Sequence, residues 1–180
     1  RIPKKTGGIS LVHLLTDLGG IECEGTVARL SENQFYFLSA AVAEIHDEDW
    51  LVQQCLPGEK VQVKNVTDDY GVLVLTGPKS REILSQITDA DLSNEAFPWL
   101  RCRQITVSGI PVRALRVSYV GELGWELHHP MNQMQTLYEQ LHQAGKAYGL
   151  TDFGTYAVNS LRMEKAYKAW GGELTTEITP

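Results

Sequence analysis

The chain has 180 residues, 43% hydrophobic and 21% charged, a balance that suits one globular domain with its own core and excludes a disordered chain. A net charge of −6 without any basic stripe argues against nucleic acid or an anionic membrane surface as partner. No apolar run approaches the roughly 20 residues a membrane-spanning helix needs.

Taken in chain order, residues 9–16 and 21–30 read as extended, with Asp17-Leu18-Gly19-Gly20 as the turn between them. Residues 35–39 form a short aromatic strand. Residues 40–55 read as a helix with Val42 and Ile45 on one face, stopped before Pro57-Gly58, and its acidic run Asp47-Glu48-Asp49 reads as a solvated face. Val61 and Val63 alternate with polar neighbours as a half-buried strand does. After a turn at Asp68-Asp69-Tyr70-Gly71, the apolar run 72–75 predicts a central strand.

Gly77-Pro78 opens a helix carrying Ile83, Leu84 and Ile87. Two strands, 105–107 and 112–120, join at Ser108-Gly109, and the second places Arg113, Leu115, Val117 and Tyr119 on one face. Residues 125–128 form another strand. Met134, Leu137, Tyr138, Leu141 and Tyr148 mark an amphipathic helix closed by Gly149. A last helix covers 155–170, with Val158 and Leu161 toward the core and Gly171-Gly172 as the stop. Hairpins interrupted by isolated helices, without a βαβ rhythm, predict an α+β fold with largely antiparallel sheets, one domain over residues 1–180.

The cysteines Cys23, Cys55 and Cys102 are odd in number, widely spaced and free of any CxxC pair, so they read as free thiols in a reducing compartment. The start RIPKKTGG has no apolar stretch behind it, which argues against a signal peptide, and Arg1 in place of Met suggests a piece of a longer protein. The five histidines show no metal-ligand spacing; His128 and His129 alternate across a strand and do not readily share an ion.

Three stretches could carry chemistry. In Tyr119-Val120-Gly121-Glu122-Leu123-Gly124-Trp125-Glu126, two glycines three apart predict a tight fold-back that brings Tyr119 near Glu126. A carboxylate there can accept two parallel N–H bonds from an amidine-like edge, such as that of a pterin; spacing alone leaves an ordinary hairpin with solvated acids open as well. On the last helix, Arg162 shares a polar face with Thr155 and Asn159, where it could grip a carbonyl or carboxylate or pair with a surface acid. Along residues 21–27, Glu22, Glu24 and Thr26 share one strand face and Cys23 takes the other, which fits either a solvent face or a carboxylate set against a ligand amine.

Together, GGIECEGTVARL, VSYVGELGWELHHP and SLRMEKAYKAWGGELTTEITP resemble glycine-cleavage T-protein aminomethyltransferases, and the last is closer to the dimethylglycine and sarcosine dehydrogenase branch. The resemblance runs over nearly the whole chain. It implies a folate-binding aminomethyltransferase-like fold, incomplete at both ends. It also implies tetrahydrofolate as ligand, a small N-methyl amino acid or its iminium as donor, and FAD only in a flavin domain before residue 1. The setting would be bacterial cytoplasm or mitochondrial matrix, and the product 5,10-methylene-tetrahydrofolate. By position, Glu126 would hold the pterin, Tyr119 and Thr26 would line the pocket, Arg162 would contact folate and Glu24 would be the catalytic acid–base group. Glu24 stands where the family has aspartate, and Ala40 where the T-protein has a polar contact. A non-catalytic regulatory paralogue and a folate-dependent demethylase with another methyl donor, such as a sulfonium, are the competing expectations.

Overall fold

The computed structural model describes residues 2–180. Strand β1 (Ile9–Leu15) turns at residues 16–20 into β2 (Ile21–Arg29), which pairs antiparallel with β3 (Phe35–Leu38), giving a three-stranded sheet in the order β1-β2-β3. The turn closes as the Thr16 N–H donates to the Gly20 carbonyl and the Gly20 N–H donates to the Thr16 hydroxyl, and Gly19 supplies the left-handed φ of 83° that it needs. A short 3-10 turn then leads into helix α1 (Glu44–Gln53).

The second sheet has four antiparallel strands in the order β4-β7-β6-β5: β4 (Tyr70–Thr76), β5 (Cys102–Val107), β6 (Ile110–Leu115) and β7 (Gly124–Pro130). Ser108 and Gly109, at φ 47° and 80°, join β5 to β6 as a two-residue turn whose twist matches the strands. Trp125 and Leu127 of β7, Val112 and Ala114 of β6 and Ile105 and Val107 of β5 point to one face. Helices α2 (Ser80–Leu84) and α3 (Met134–Gly145) cover that face with Ile83, Leu84, Leu137 and Leu141, and this is the main core. On the other face, Leu115 and Cys102 meet Ile9 and Ala28 of the first sheet in a smaller cluster flanked by Tyr36 and Leu38. The two sheets are joined along that seam.

The antiparallel α+β expectation holds, with local corrections. Val61 and Val63 belong to no strand; this stretch has no regular structure and no strand partner, and Val61 lies exposed. The run 72–75 lies in β4, an edge strand rather than a central one, because only β7 pairs with it. The strand expected over 112–120 ends at Leu115, where pairing with β5 stops. The last helix, α4 (Thr155–Glu164), stops six residues early. There the N–H groups of Lys165 and Tyr167 both return to the Arg162 carbonyl, and Ala166 takes a left-handed φ of 57°. Arg162, not Val158 or Leu161, is the buried residue of α4, and Val42 and Ile45 are solvent-exposed. Among the described residues, no helix is long and apolar enough to cross a membrane and no group of His, Cys, Asp or Glu is arranged to hold a metal ion.

Candidate functional site

Strand β2 presents Glu22, Glu24, Thr26 and Ala28 on one face. Ala28 is sealed in the seam between the sheets, so the two acids and the hydroxyl continue the same face outward to a half-buried region. Register places His13 of β1 directly across from Glu24, and His13 Nε2 lies 2.9 Å from Glu24 Oε2. Glu22 reaches His46 of α1 at 2.9 Å, and the other ring nitrogen of His46 lies 2.8 Å from Asp47 Oδ1. Those two hydrogen bonds, Asp47 first and then Glu22, hold the His46 pKa above its ordinary value. Cys23, on the opposite face, is buried, and that burial together with Asp47 pushes its thiol well up, so it is a poor nucleophile. Burial likewise lifts Cys102 to about 11.

The stretch that includes Tyr119 is not a tight hairpin. β6 pairs with β7 at Leu115↔Glu126, so residues 116–123 form a long connection and Glu126 faces Leu115, not Tyr119. Tyr119 instead leans on the segment after α4: its ring stacks on Tyr167 at 6.4 Å, and its hydroxyl donates to the Lys168 carbonyl at 2.8 Å. Burial raises its pKa first, Arg162 opposes this, and Glu24 and Glu173 add to it. Tyr119, Arg162 and Glu24 therefore share one electrostatic neighbourhood, although they come from three distant parts of the chain.

Arg162 is buried, and two of its three guanidinium nitrogens are engaged. Nε donates to Asn159 at 3.0 Å, and Nη1 donates to the Tyr167 carbonyl and to Glu173 Oε2, each at 2.7 Å. Glu173 also accepts the Ala169 N–H, the main cause of its lowered pKa. The segment so held reaches back to β2, where Trp170 Nε1 donates to the Glu22 carbonyl at 3.0 Å and the Ile21 N–H donates to the Ile178 carbonyl at 2.9 Å.

Glu126 lies on the seam-side face of β7, with 27% of its side chain accessible. His128, on the same face, places Nε2 3.3 Å from Glu126 Oε2 and Nδ1 3.2 Å from the Tyr36 hydroxyl. Thus Glu126 connects to the first sheet through His128 and Tyr36, while among the described residues no hydrogen bond ties it to Glu24. Thr26 pairs in register with Leu38, two residues along β3 from Tyr36. Ala40 is exposed and extended just before the 3-10 turn. His13, His46, Tyr36, His128 and Tyr167 were not singled out from sequence. Two signals were readable: counting back through the turn at 17–20 places His13 opposite Glu24, and the strand period sets His128 on the face of Glu126.

The GCVT N-terminal domain model matches residues 1–180, and the chain belongs to that family. Mitochondrial dimethylglycine dehydrogenase of Mus musculus is 42% identical over 98% of this chain, and the match covers 20% of that protein. The mitochondrial pyruvate dehydrogenase phosphatase regulatory subunit of Mus musculus is 31% identical over 94% of this chain and 20% of that protein. Among solved structures, the glycine cleavage system aminomethyltransferase T of Bartonella henselae superposes with a TM-score of 0.83 at 25% identity, over 98% of this chain and 45% of that one. The chain spans about a fifth of the length of these curated relatives. The expected aminomethyltransferase fold and its likeness to dimethylglycine dehydrogenases are both found.

Proposed function

We propose that this chain is the tetrahydrofolate-binding, one-carbon-transfer part of a flavin-dependent dimethylglycine or sarcosine dehydrogenase-like enzyme, forming 5,10-methylene-tetrahydrofolate. The observation that carries the reading is the pair of half-buried carboxylates, Glu24 and Glu126, each with Oε2 held by a histidine and with no hydrogen bond at Oε1 among the described residues. Such an arrangement leaves acceptor capacity for a ligand rich in N–H groups. Tetrahydrofolate would supply the amines that take up the one-carbon unit.

In this reading Glu126 accepts the aminopyrimidinone edge, and Tyr119 and Thr26 line the pocket. Glu24, oriented by His13, takes the proton released when a folate amine attacks an iminium carbon and returns it to the donor amine, whose C–N bond breaks as the second folate amine closes the methylene bridge. Arg162 remains the folate contact in this reading: Nε and Nη1 are taken by Asn159, Tyr167 and Glu173 and hold the segment on which Tyr119 rests, while Nη2 has no hydrogen-bond partner among the described residues. The mitochondrial relatives support a mitochondrial setting.

The test is calorimetric titration of tetrahydrofolate into the full-length protein. Glu126→Gln should weaken binding about 10–100-fold, the loss expected when a charged acceptor faces N–H donors and is neutralised. Unchanged affinity would remove Glu126 from the site. A second reading, a non-catalytic regulatory subunit, is favoured by Glu24 standing in place of the family aspartate and by the 31% relative. It predicts no turnover in the full-length protein, whereas measurable turnover that rises in Glu24→Asp would mean that the departure weakens catalysis without abolishing it.

A further inference from the structure

Taking Glu126 as the pterin-holding carboxylate, we infer that Tyr36 and His128 are positioning residues: a Tyr36–His128–Glu126 relay across the sheet seam fixes the orientation of that carboxylate. His128 is buried on β7, and both of its ring nitrogens are occupied on this one face, Nδ1 by the Tyr36 hydroxyl at 3.2 Å and Nε2 by Glu126 at 3.3 Å.

A carboxylate can only accept, so Nε2 must carry the proton. A neutral ring then leaves Nδ1 as an acceptor, and Tyr36 is the donor that satisfies it. The opposite tautomer would aim a lone pair at the carboxylate. The carboxylate sets that tautomer and Tyr36 secures it, because its hydroxyl can donate to Nδ1 and leave no buried lone pair unpaired. Burial, partly opposed by Arg113, raises the Tyr36 pKa, so its hydroxyl keeps its proton.

Tyr36 is itself clamped. The Arg113 guanidinium sits 4.4 Å over its ring, Tyr70 packs edge-on at 6.1 Å, and the His128 ring meets it at 5.5 Å and 84°. Arg113 also lies across from His128 in the β6–β7 register. The adjacent His129 takes no part, since its Nδ1 bonds the Leu127 carbonyl. A partly exposed glutamate left alone would sample several rotamers, whereas two parallel N–H bonds need one carboxylate plane. Setting that plane before the ligand arrives removes an ordering cost from binding.

The experiment compares tetrahydrofolate titrations of the full-length protein and four variants: Tyr36→Phe, His128→Gln, His128→Asn and Glu126→Gln. Glutamine puts an amide nitrogen where Nε2 stands, and asparagine puts it where Nδ1 stands. The relay predicts that Tyr36→Phe and His128→Asn weaken binding about tenfold, the scale of one hydrogen bond to a charged group, while His128→Gln stays near the unsubstituted protein. Melting temperatures measured alongside separate this from packing, because a purely structural His128 would show no split in affinity between the two amides. Equal affinities for the two amides, or full affinity in Tyr36→Phe while Glu126→Gln loses it, would overturn the relay and leave the Glu126 assignment standing. Full affinity in Glu126→Gln would remove both.

Discussion

His46 lies between Glu22 and Asp47, and its charge decides how firmly α1 is held to β2. Its folded-state pKa is raised above the unfolded value, with Asp47 as the larger cause. A group of that sign contributes stability that is complete below the unfolded value, about 6.5, and is lost as pH rises through the folded one. The His46 side chain is 45% accessible, so solvent screens the pair and the effect is modest. The expected outcome is a melting-temperature gap between the unsubstituted protein and His46→Gln that is widest below about pH 6.5 and closes as pH rises through the raised folded-state value. A gap that stays constant with pH would mean the contribution is packing, not charge.

At the scale of elements, the segment after α4 is docked by backbone, and Gly20 makes that docking possible. A Cβ at Gly20 would run into the carbonyl of Thr176, which is main chain and cannot swing aside. Gly20→Ala should therefore cost about 1–3 kcal/mol and push residues 170–178 off β2, breaking the Ile21–Ile178 and Trp170–Glu22 bonds. Hydrogen exchange should show the Ile21 amide losing protection, and if it does not, the segment has moved without releasing β2. These elements also show what sequence can and cannot convey. Alternating apolar residues and the 17–20 and 108–109 turns revealed β1, β2, β5 and the start of β6, because strand period and turn chemistry are local. The end of α4 was hidden because Ala166, without glycine's usual signal, takes the left-handed position. The edge position of β4 depends on a partner more than forty residues away. The Glu24 face was legible from strand period, whereas the Tyr36–His128 contact joins residues 92 apart and left no trace in either segment.

For the molecule as a whole, the site depends on how two sheets sit against each other. Glu24 and Thr26 belong to one sheet and Glu126 to the other, and the small cluster of Ile9, Ala28, Cys102 and Leu115 sets their relative position. Leu115 is fully buried there and is the register partner of Glu126. Leu137 of α3 is equally buried, but on the far face of the four-stranded sheet. Truncating either to alanine should cost about 2–5 kcal/mol, since each leaves a cavity in a packed cluster. Their effects on ligand should diverge. Leu115→Ala lets the seam relax and shifts one carboxylate relative to the other, so tetrahydrofolate binding should weaken several-fold even well below the melting point. Leu137→Ala loosens a core that does not border the seam, and affinity at the same temperature should stay near that of the unsubstituted protein. Equal losses of affinity in the two variants would mean that ligand binding follows global stability, and that the seam has no special hold on the distance between the carboxylates.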